Sequence, residues 1–495
     1  MIHTKPRWSV PAIGAAAILT VVLATPSGAG SGHALPVRAV PAGAASPTSG
    51  LPPVPKVNVL RNRPGTAPGM FFTTPQNPND LAVPHGPTIV DGKGRPVWFR
   101  PIPAGEIATD LRVQTYQGRK VITWWQGEHV NVGAGRGVGY IADENYRVIA
   151  TVKGSSGPAD LHEFRLTSRG TALLTLYPQV QRDLTAVGGP KDGTVFDGVV
   201  EEIDIATGRL LWRWSSLDHV PISETDLPYA ARPDGAPYDY FHINSIDEDA
   251  EGDLLVSGRF VSTVFKIDRQ TGKIEWRLGG RRSSFPLGIG VRFSWQHDAV
   301  WAGKDTIKLF DNGTLFLWDG YESRVAWIKV NPGRKTTRLV KQVTHPEHLS
   351  TIQEGNAQGL PNGNTAVSWG PTGRISEFSK GGKLLFDAAL DKNWSTYRIF
   401  RSPWRAKPES APIAVAQGGT VHAVWNGATG VARWRLYAGT AQNAMEPIAE
   451  TAWNGLDTAI ALPAAATSAT YVKVEALDAQ GKPLGSSNAA PRTGR

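Results

Sequence analysis

The residues Asp204-Ile-Ala-Thr-Gly208-Arg-Leu-Leu-Trp212 return as Asp268-Arg-Gln-Thr-Gly272-Lys-Ile-Glu-Trp276. In both copies a polar turn closed by glycine separates two short strand-like runs, and a tryptophan follows the glycine by four positions. A glycine-containing turn between two such runs is typical of a β-hairpin. Further copies, some of them weaker, are Asp91–Trp98, Asp143–Ile149, Asn331–Arg334 and Gly382–Phe386. The chain therefore repeats one hairpin in six units of unequal length.

A second pattern alternates with the first. It consists of a turn with Gly or Asp and then an apolar strand, at Gly118–Trp125, Gly170–Tyr177, Gly252–Arg259, Lys304–Phe310 and Gly363–Trp369. Two hairpins per unit make a four-stranded antiparallel sheet, and such sheets arranged about an axis form a β-propeller. No window between positions 57 and 404 has a sustained helical period with caps. The sequence predicts an all-β, six-bladed propeller, with seven blades as the alternative.

Two further features of the propeller follow from the repeat. We expect the ring to close by pairing of a strand near Tyr397–Arg401 with an early strand between Pro55 and Val97. Three tryptophans occupy equivalent strand positions and are expected to pack between adjacent blades rather than to bind a ligand. They are Trp98, Trp212 and Trp276.

Composition excludes several classes of chemistry. The 495 residues contain no Cys, which rules out a disulfide, a cysteine nucleophile, a thiolate zinc site and an iron–sulfur cluster. The formal charge is +9, but no block of basic residues gathers it, so nucleic-acid binding is not predicted. A mildly basic surface that attracts anions fits better.

The chain begins with the features of an export signal. Residues 1–34 combine an early positive region at Lys5 and Arg7, an apolar run over Val10–Ala24 and small residues suited to cleavage. An uncleaved anchor is the alternative. Residues 35–56 are rich in Pro, Ala, Gly and Ser and are predicted to be a flexible linker before the propeller at 57–404. The protein is therefore predicted to be secreted or extracytoplasmic, with membrane or wall association left open.

Composition changes again after Trp404. A linker at Lys407–Pro412 precedes short alternating strands that include Val421–Trp425 and Tyr471–Asp478. Residues 413–490 are predicted to form a small β-sandwich that resembles a fibronectin type III module. It has no catalytic constellation, so we interpret it as an accessory domain for interaction or spacing, which could contact the cell surface or wall.

Three histidines occupy the same place in three successive units. His162, His242 and His297 each stand just before the second hairpin pattern. Side chains at the innermost edge of consecutive blades converge on one channel mouth, so the three imidazoles are predicted to share a pocket. The strand that leaves His242 pairs with one that ends at Arg259, which makes these two residues neighbours. Two more histidines, His85 and His129, are weaker candidates for the channel.

The residue types favour an oxyanion over a metal. Arg259 would repel a cation, whereas its planar fork of donors suits sulfate or phosphate. Histidine can donate, accept or attack as a nucleophile. The acidic turn over Asp247–Asp253 has Gly258 where a calcium loop needs its last Glu, so it is interpreted as a solvated hairpin tip. No metal and no cofactor are predicted.

At these residues the chain resembles the arylsulfotransferase family. Its most specific match is Tyr240-Phe-His242-Ile-Asn244-Ser-Ile followed by Ser257-Gly-Arg259. Members are six-bladed propellers with three histidines and one arginine in the order His, His, Arg, His. The resemblance implies catalytic roles for His162, His242, Arg259 and His297, with His297 as the residue that becomes sulfated. Asn244 matches an asparagine of the family and is implied to bind substrate. The enterobacterial members have a disulfide that this chain lacks, which places it in a divergent exported bacterial branch.

The resemblance implies transfer of a sulfuryl group from an aryl sulfate to a phenol without a nucleotide donor. Two other functions are compatible with a propeller of this kind. One is a non-catalytic exported protein that binds a glycan, a peptide or a wall component at the channel mouth. The other is a quinone-dependent dehydrogenase, although the carboxylate set that holds calcium and cofactor in such enzymes is not found in the sequence.

Overall fold

The computed structural model of the protein describes residues 52–130 and 133–493. The predicted export signal and the first part of the predicted linker lie outside them. The first strands of the described residues are β1 (Val57–Asn62), β2 (Met70–Thr73), β3 (Thr88–Val90) and β4 (Pro96–Phe99). The next four form the first complete blade, blade 1: β5 (Glu106–Tyr116), β6 (Arg119–Val130), β7 (Ala134–Ala142) and β8 (Val148–Val152).

Blade 2 contains an inserted hairpin, formed by β11 and β12, between its second and third strands. Its elements are β9 (Phe164–Leu166), β10 (Thr171–Leu176), β11 (Gln179–Arg182), β12 (Gly193–Phe196), β13 (Val199–Asp204) and β14 (Leu210–Ser215). Blade 3 consists of β15 (Ile243–Glu248), β16 (Leu254–Gly258), β17 (Thr263–Ile267) and β18 (Ile274–Gly279). Blade 4 consists of β19 (His297–Trp301), β20 (Thr306–Asp311), β21 (Arg324–Asn331) and β22 (Thr336–Thr344).

Blade 5 has a fifth strand, because β1 pairs with its outer strand. Its own strands are β23 (Asn356–Gly359), β24 (Thr365–Ser368), β25 (Arg374–Phe378) and β26 (Leu384–Leu390). Blade 6 takes its innermost strand, β27 (Ile399–Ser402), from the far end of the propeller and the other three, β2 to β4, from the beginning. The register Met70↔Ser402 to Thr73↔Ile399 closes the ring. The structure confirms six blades and the predicted closure.

Helical structure is confined to short 3-10 segments in the described residues. These are Thr185–Val187, Ser216–Asp218, Ile222–Glu224, Tyr229–Ala231, Thr314–Asp319, Gly370–Thr372 and Ala464–Ala466. Within residues 52–130 and 133–493, no helix has the length and apolar character needed to cross a membrane.

Tryptophans of the outer strands pack between blades. Trp98 of blade 6 meets Trp124 of blade 1 edge-on at 6.3 Å, and Trp276 of blade 3 meets Trp301 of blade 4 at 6.1 Å. Trp212 packs against the shared core of blades 2 and 3, and the Arg269 guanidinium covers its ring at 4.1 Å. The structural role predicted for Trp98, Trp212 and Trp276 is confirmed.

The C-terminal unit is also built of strands. They are β28 (Ile413–Gln417), β29 (Thr420–Val424), β30 (Arg433–Ala441), β31 (Ala444–Ala452), β32 (Asp457–Ala461), β33 (Tyr471–Leu477), β34 (Pro483–Ser486) and β35 (Ala490–Thr493). One core, which includes Trp425 and Trp434, joins the two groups of strands around β28–β29 and β30–β33. Its likeness to a fibronectin type III module stays a prediction.

This unit docks on the outer edge of blade 6. Asn426 donates from Nδ2 to the Phe99 carbonyl at 2.8 Å and accepts from the Phe99 amide at 2.9 Å. The Gly427 amide donates to the Val97 carbonyl at 2.8 Å, and the Leu456 amide donates to the Pro96 carbonyl at 2.7 Å. The unit thereby covers part of an edge strand whose unpaired backbone groups could otherwise pair with another chain.

Candidate active site

The three predicted histidines lie where the chain enters the innermost strands of blades 2, 3 and 4. His162 comes two residues before β9, His242 comes directly before β15, and His297 is the first residue of β19. The ring centroids of His162 and His242 are 4.8 Å apart. The Tyr397 ring lies 5.7 Å from that of His162 and 6.4 Å from that of His297. The structure therefore brings the three imidazoles together at one mouth of the axial channel.

Backbone distortion turns these strand ends toward the axis. His242 has φ 52° and Asp298 has φ 51°, a conformation that is uncommon for residues other than glycine. The pairing of β15 with β16 shifts register between Ile243 and Ser245, and that of β19 with β20 shifts between His297 and Val300. Such bulges re-aim side chains beside active sites.

Each imidazole is held at Nδ1 by a different acceptor. The pairs are His162 with Asp160 at 2.6 Å, His242 with Asp239 at 2.5 Å, and His297 with Asn312 at 2.7 Å. An acceptor at one ring nitrogen fixes the orientation of the ring and the position of its proton. Nε2 is therefore the nitrogen of each ring that no side-chain carboxylate or amide engages within the described residues.

The two carboxylate partners differ in their ionisation. Burial alone would raise the pKa of Asp160, but His162 and the donated hydrogen bonds from Gly135 and His162 outweigh it, and the pKa lies below its ordinary value. Burial raises the pKa of Asp239 to about 7. Burial, together with the charges of His162 and Arg259, lowers the pKa of His242 well below its ordinary value. Asp160 is thus ionised at neutral pH, whereas Asp239 takes up a proton below about pH 7.

His297 is neutral at physiological pH. Burial, reinforced by the positive charge of Arg259, lowers the pKa of His297 well below its ordinary value. Its Nε2 accepts a hydrogen bond of 3.2 Å from the Glu354 amide, which requires a lone pair on that nitrogen. The ring therefore presents a nucleophilic nitrogen toward the segment that carries Glu354.

Arg259 lies in the same mouth without a carboxylate partner among the described residues. Its side chain lies between the rings of Phe260 and Trp295, with Cζ 4.5 and 4.6 Å from their centroids. Nη2 donates to the Ile352 carbonyl at 2.9 Å, and Nε is buried with no acceptor in the described part of the chain. Burial lowers the pKa of Arg259 to about 10, which leaves it charged at neutral pH. A buried guanidinium with spare donors is suited to an oxyanion.

Glu354 and Asn244 complete the surroundings of the mouth. Burial raises the pKa of Glu354 to about 7, and its Oε2 has no hydrogen-bond partner in the described residues. Asn244 is fully buried, and its Nδ2 donates to the Gln296 carbonyl at 2.7 Å, directly before His297 in the chain. This contact positions the backbone beside His297; the substrate-binding role implied for Asn244 stays a prediction.

Four buried residues of opposite charge contact one another, and we call them the axial cluster: Arg398, Asp110, Glu163 and Arg112. Arg398 is completely buried and donates from Nη1 to Asp110 and Glu163, each at 3.1 Å. Arg112 bridges the same two carboxylates. Burial would raise the pKa of Glu163, but Arg398 and Arg112 outweigh it and lower the pKa to about 2.

The two weaker histidine candidates lie in different places, one beside the mouth and one away from it. The side chain of His129 is exposed, yet partial desolvation and the nearby charge of His162 lower its pKa, which places it beside the mouth. His85 lies elsewhere, with Nδ1 2.7 Å from the Val83 carbonyl and Nε2 2.8 Å from the Glu106 carbonyl.

Three acidic residues of the turn over Asp247–Asp253 are paired with basic side chains. Asp249 and Asp253 of the acidic turn both contact Lys266, at 3.2 and 3.1 Å, and Asp247 contacts Arg165 at 2.7 Å. In residues 52–130 and 133–493, no three His, Asp or Glu side chains are grouped as a metal site.

Several residues of the mouth were missed by sequence reasoning. Asp160 and Asp239 precede their histidines by two and three positions, a local spacing that could have indicated the pairs. Asn312, Glu354 and Tyr397 are distant in sequence from the histidines they contact, and no local pattern marks them.

One comparison with known proteins identifies the family of the chain. The arylsulfotransferase (ASST) family model matches residues 112–391, more than half of the chain, and the matched range contains all four implied catalytic residues. The protein therefore belongs to the arylsulfotransferase family. No curated protein is significantly similar to the chain.

Solved structures show only distant likenesses. A Bacteroides caccae protein of unknown function is 12% identical over 67% of this chain and 98% of its own, with a TM-score of 0.41. The periplasmic gluconolactonase of Pseudomonas aeruginosa is 13% identical over 68% of this chain and 99% of its own, with a TM-score of 0.37. At these values the likenesses carry no inference about function.

Proposed function

We propose that the protein is an aryl sulfotransferase that uses no nucleotide donor. It moves a sulfuryl group from an aryl sulfate ester to a phenol through a sulfated His297. The observation that carries the proposal is the meeting, in one mouth, of a neutral imidazole and a buried arginine without a carboxylate partner in the described residues. The first can act as nucleophile, and the second supplies donors for the sulfuryl oxygens.

In the first half-reaction Nε2 of His297 attacks the sulfur atom. An N–S bond forms, the sulfur–oxygen bond to the aryl group breaks, and its electron pair leaves with the phenolate oxygen. The donor must displace the Glu354 amide, which occupies the Nε2 lone pair at 3.2 Å. Arg259 stabilises the charge on the sulfuryl oxygens, and His242 does so when its Nε2 carries a proton.

His162 is the proposed proton donor to the oxygen of the leaving group. The ionised Asp160 accepts a hydrogen bond from Nδ1 of His162 and so orients the ring, and a proton on Nε2 of His162 is the one given to the phenolate. In the second half-reaction the acceptor phenol gives its proton to His162 and attacks the sulfur, which releases neutral His297. Atoms and charges balance over the cycle.

The proposed location of the enzyme is outside the cytoplasm. Residues 1–34 are the proposed export signal, and a nucleotide-free donor suits a compartment without a supply of intracellular cofactor. The C-terminal unit, which docks on blade 6 at Asn426, is proposed to contact the cell surface or wall.

The test is a donor assay combined with capture of the intermediate. Purified mature protein is incubated with 4-nitrophenyl sulfate, with and without phenol, and the released nitrophenolate is followed by absorbance. Mass spectrometry of quenched protein should find one sulfuryl group on His297. His297→Ala should abolish both signals, whereas His345→Ala should retain them, because His345 is equally buried but pairs with Asp387 outside the mouth.

Failure would have a definite meaning. No phenol release over a wide range of aryl sulfates, with His297→Ala indistinguishable from wild type, would contradict the transferase. That result would favour the non-catalytic propeller that binds a glycan, a peptide or a wall component at its mouth.

A further inference from the structure

We infer that Asn312 is a positioning residue that fixes the tautomer of His297 and so keeps a lone pair on Nε2, the attacking nitrogen. The inference rests on the proposed function and adds a residue that supplies no atom to the substrate. It depends on the direction of the hydrogen bonds around one buried amide.

The orientation of the Asn312 side chain is fixed by its two donors. Asn312 is completely buried, and Nδ2 donates to the Thr351 carbonyl at 3.0 Å and to the Glu354 carbonyl at 3.1 Å. Carbonyl oxygens only accept, so both amide hydrogens face this segment. Oδ1 is left to face Nδ1 of His297 at 2.7 Å, and that nitrogen must therefore carry the proton.

A second contact assigns the same tautomer independently. The Glu354 amide donates to Nε2 of His297 at 3.2 Å. A backbone N–H can donate only to a nitrogen with a lone pair. Both sides of the ring thus specify a proton on Nδ1 and a lone pair on Nε2.

The other two histidines have carboxylates where His297 has an amide. Asp160 and Asp239 accept at Nδ1 of His162 and His242. A carboxylate stabilises the doubly protonated imidazolium, which has no lone pair with which to attack sulfur. Burial and the charge of Arg259 outweigh the smaller rise that Asn312, an uncharged acceptor, causes in the pKa of His297. Of the three rings, His297 is therefore the one whose orienting partner at Nδ1 carries no charge.

The amide also suits the intermediate. After the N–S bond has formed, the ring carries a positive charge. Its other proton stays on Nδ1, hydrogen-bonded to Asn312, because an amide oxygen is too weak a base to remove it. A cationic ring is a better leaving group than a neutral one when the acceptor phenol attacks the sulfur. The same contact therefore serves both half-reactions.

The test is Asn312→Asp, which changes one amide nitrogen to oxygen. The new carboxylate should raise the pKa of His297. The acid limb of the pH profile of kcat/KM, where activity falls as His297 takes up a proton, should therefore move to higher pH by about one to three units. Asn312→Ser, which is uncharged, should lower the rate without moving that limb. Asn356→Asp is the matched control, because Asn356 is equally buried and bonds the Ile399 backbone away from the mouth.

A spectroscopic arm separates this inference from the proposed function. In protein with ¹⁵N-labelled histidine, the His297 signals, assigned by their loss in His297→Gln, should report a proton on Nδ1 and none on Nε2. A proton on Nε2 in the wild type would overturn the role of Asn312 even in an active enzyme. An acid limb that stays in place in folded Asn312→Asp would overturn it as well. If the wild type lacked transferase activity, the same signals would still decide the tautomer.

Discussion

Two buried arginines on the propeller axis have opposite surroundings. Arg398, in the axial cluster, contacts Asp110 and Glu163, and although burial lowers its pKa, the carboxylates raise it well above the ordinary value. Arg259, at the mouth, has no carboxylate within ion-pair distance in the described chain, and burial lowers its pKa to about 10. The axial cluster is internally neutralised, whereas the mouth has unused positive charge and unused donors.

This difference separates a structural role for the axial cluster from the functional role proposed for the mouth. Buried charges are costly unless they are paired, so a satisfied cluster holds blades together. A group that stays unpaired in a folded protein is stabilised by the rest of the fold and is available to a ligand. The donors of Arg259 that have no carboxylate partner in the described residues are the ones that the proposed function assigns to the sulfuryl oxygens.

Arg398→Met would remove the compensated charge. It would leave Asp110 and Glu163 with one guanidinium fewer in a buried place, and we expect the free energy of unfolding to fall by about 3–5 kcal/mol. Denaturant unfolding measures this effect. Activity per folded molecule should change little, and unaltered stability would break the comparison.

Arg259→Met is the reciprocal change at the mouth. Loss of an oxyanion donor should lower kcat by about 10²–10³-fold. Stability should be unchanged or higher, because no carboxylate loses its partner within the described residues. Phenol release from an aryl sulfate gives the rate, and the Arg398→Met protein is the control. A loss of rate that merely parallels a loss of folded protein would argue against the proposed role.

The fold could be predicted because each blade contains turns that are recognisable from the local sequence. All six copies of the first pattern are turns between the third and fourth strands of a blade, such as Asp204–Trp212 between β13 and β14. The second pattern has five copies because the turn it marks joins the first and second strands. In blade 6 those strands, β27 and β2, come from opposite ends of the propeller, so the chain has no such turn there.

The site was predictable only where it follows the repeat. His162, His242 and His297 occur in register, and Arg259 follows from antiparallel pairing. Asn312 and Glu354 could not be predicted, because they come from connections whose lengths vary between blades. Their contacts with His297 depend on three-dimensional packing rather than on any spacing in the sequence.

Glu354→Gln tests, through the pH dependence of stability, whether the Glu354 carboxylate at the mouth lacks a basic partner. The folded pKa of about 7 exceeds the ordinary value of 4.5, so the folded state holds a proton that the unfolded state has released between these values. Stability contributed by this group is therefore present below about pH 4.5 and is lost as pH rises through 7. The variant should exceed wild type by up to about 3 kcal/mol at pH 8 and match it near pH 4.

The matched control is Glu377→Gln. Glu377 is completely buried and accepts from Arg401, from Asn364 and from the Ala67 amide. Its replacement should destabilise the protein at pH 8, the opposite sign to Glu354→Gln. Thermal unfolding at the two pH values decides, and equal effects of the two substitutions would mean that Glu354 has a partner after all.

Asn244→Ala has the smallest expected effect. It changes a residue that contacts both the axial cluster and the backbone beside His297 at the mouth. The Asn244 carbonyl accepts from Arg398 of the axial cluster at 2.8 Å, while its side chain holds the Gln296 carbonyl next to His297. If the side chain positions the nucleophile, kcat should fall about tenfold, or about 1.4 kcal/mol, with KM unchanged. A raised KM with unchanged kcat would instead support the substrate-binding role that the family resemblance implies. Asn356→Ala, which removes a similar contact between two other blades, should change neither constant, because its partner Ile399 lies outside the mouth.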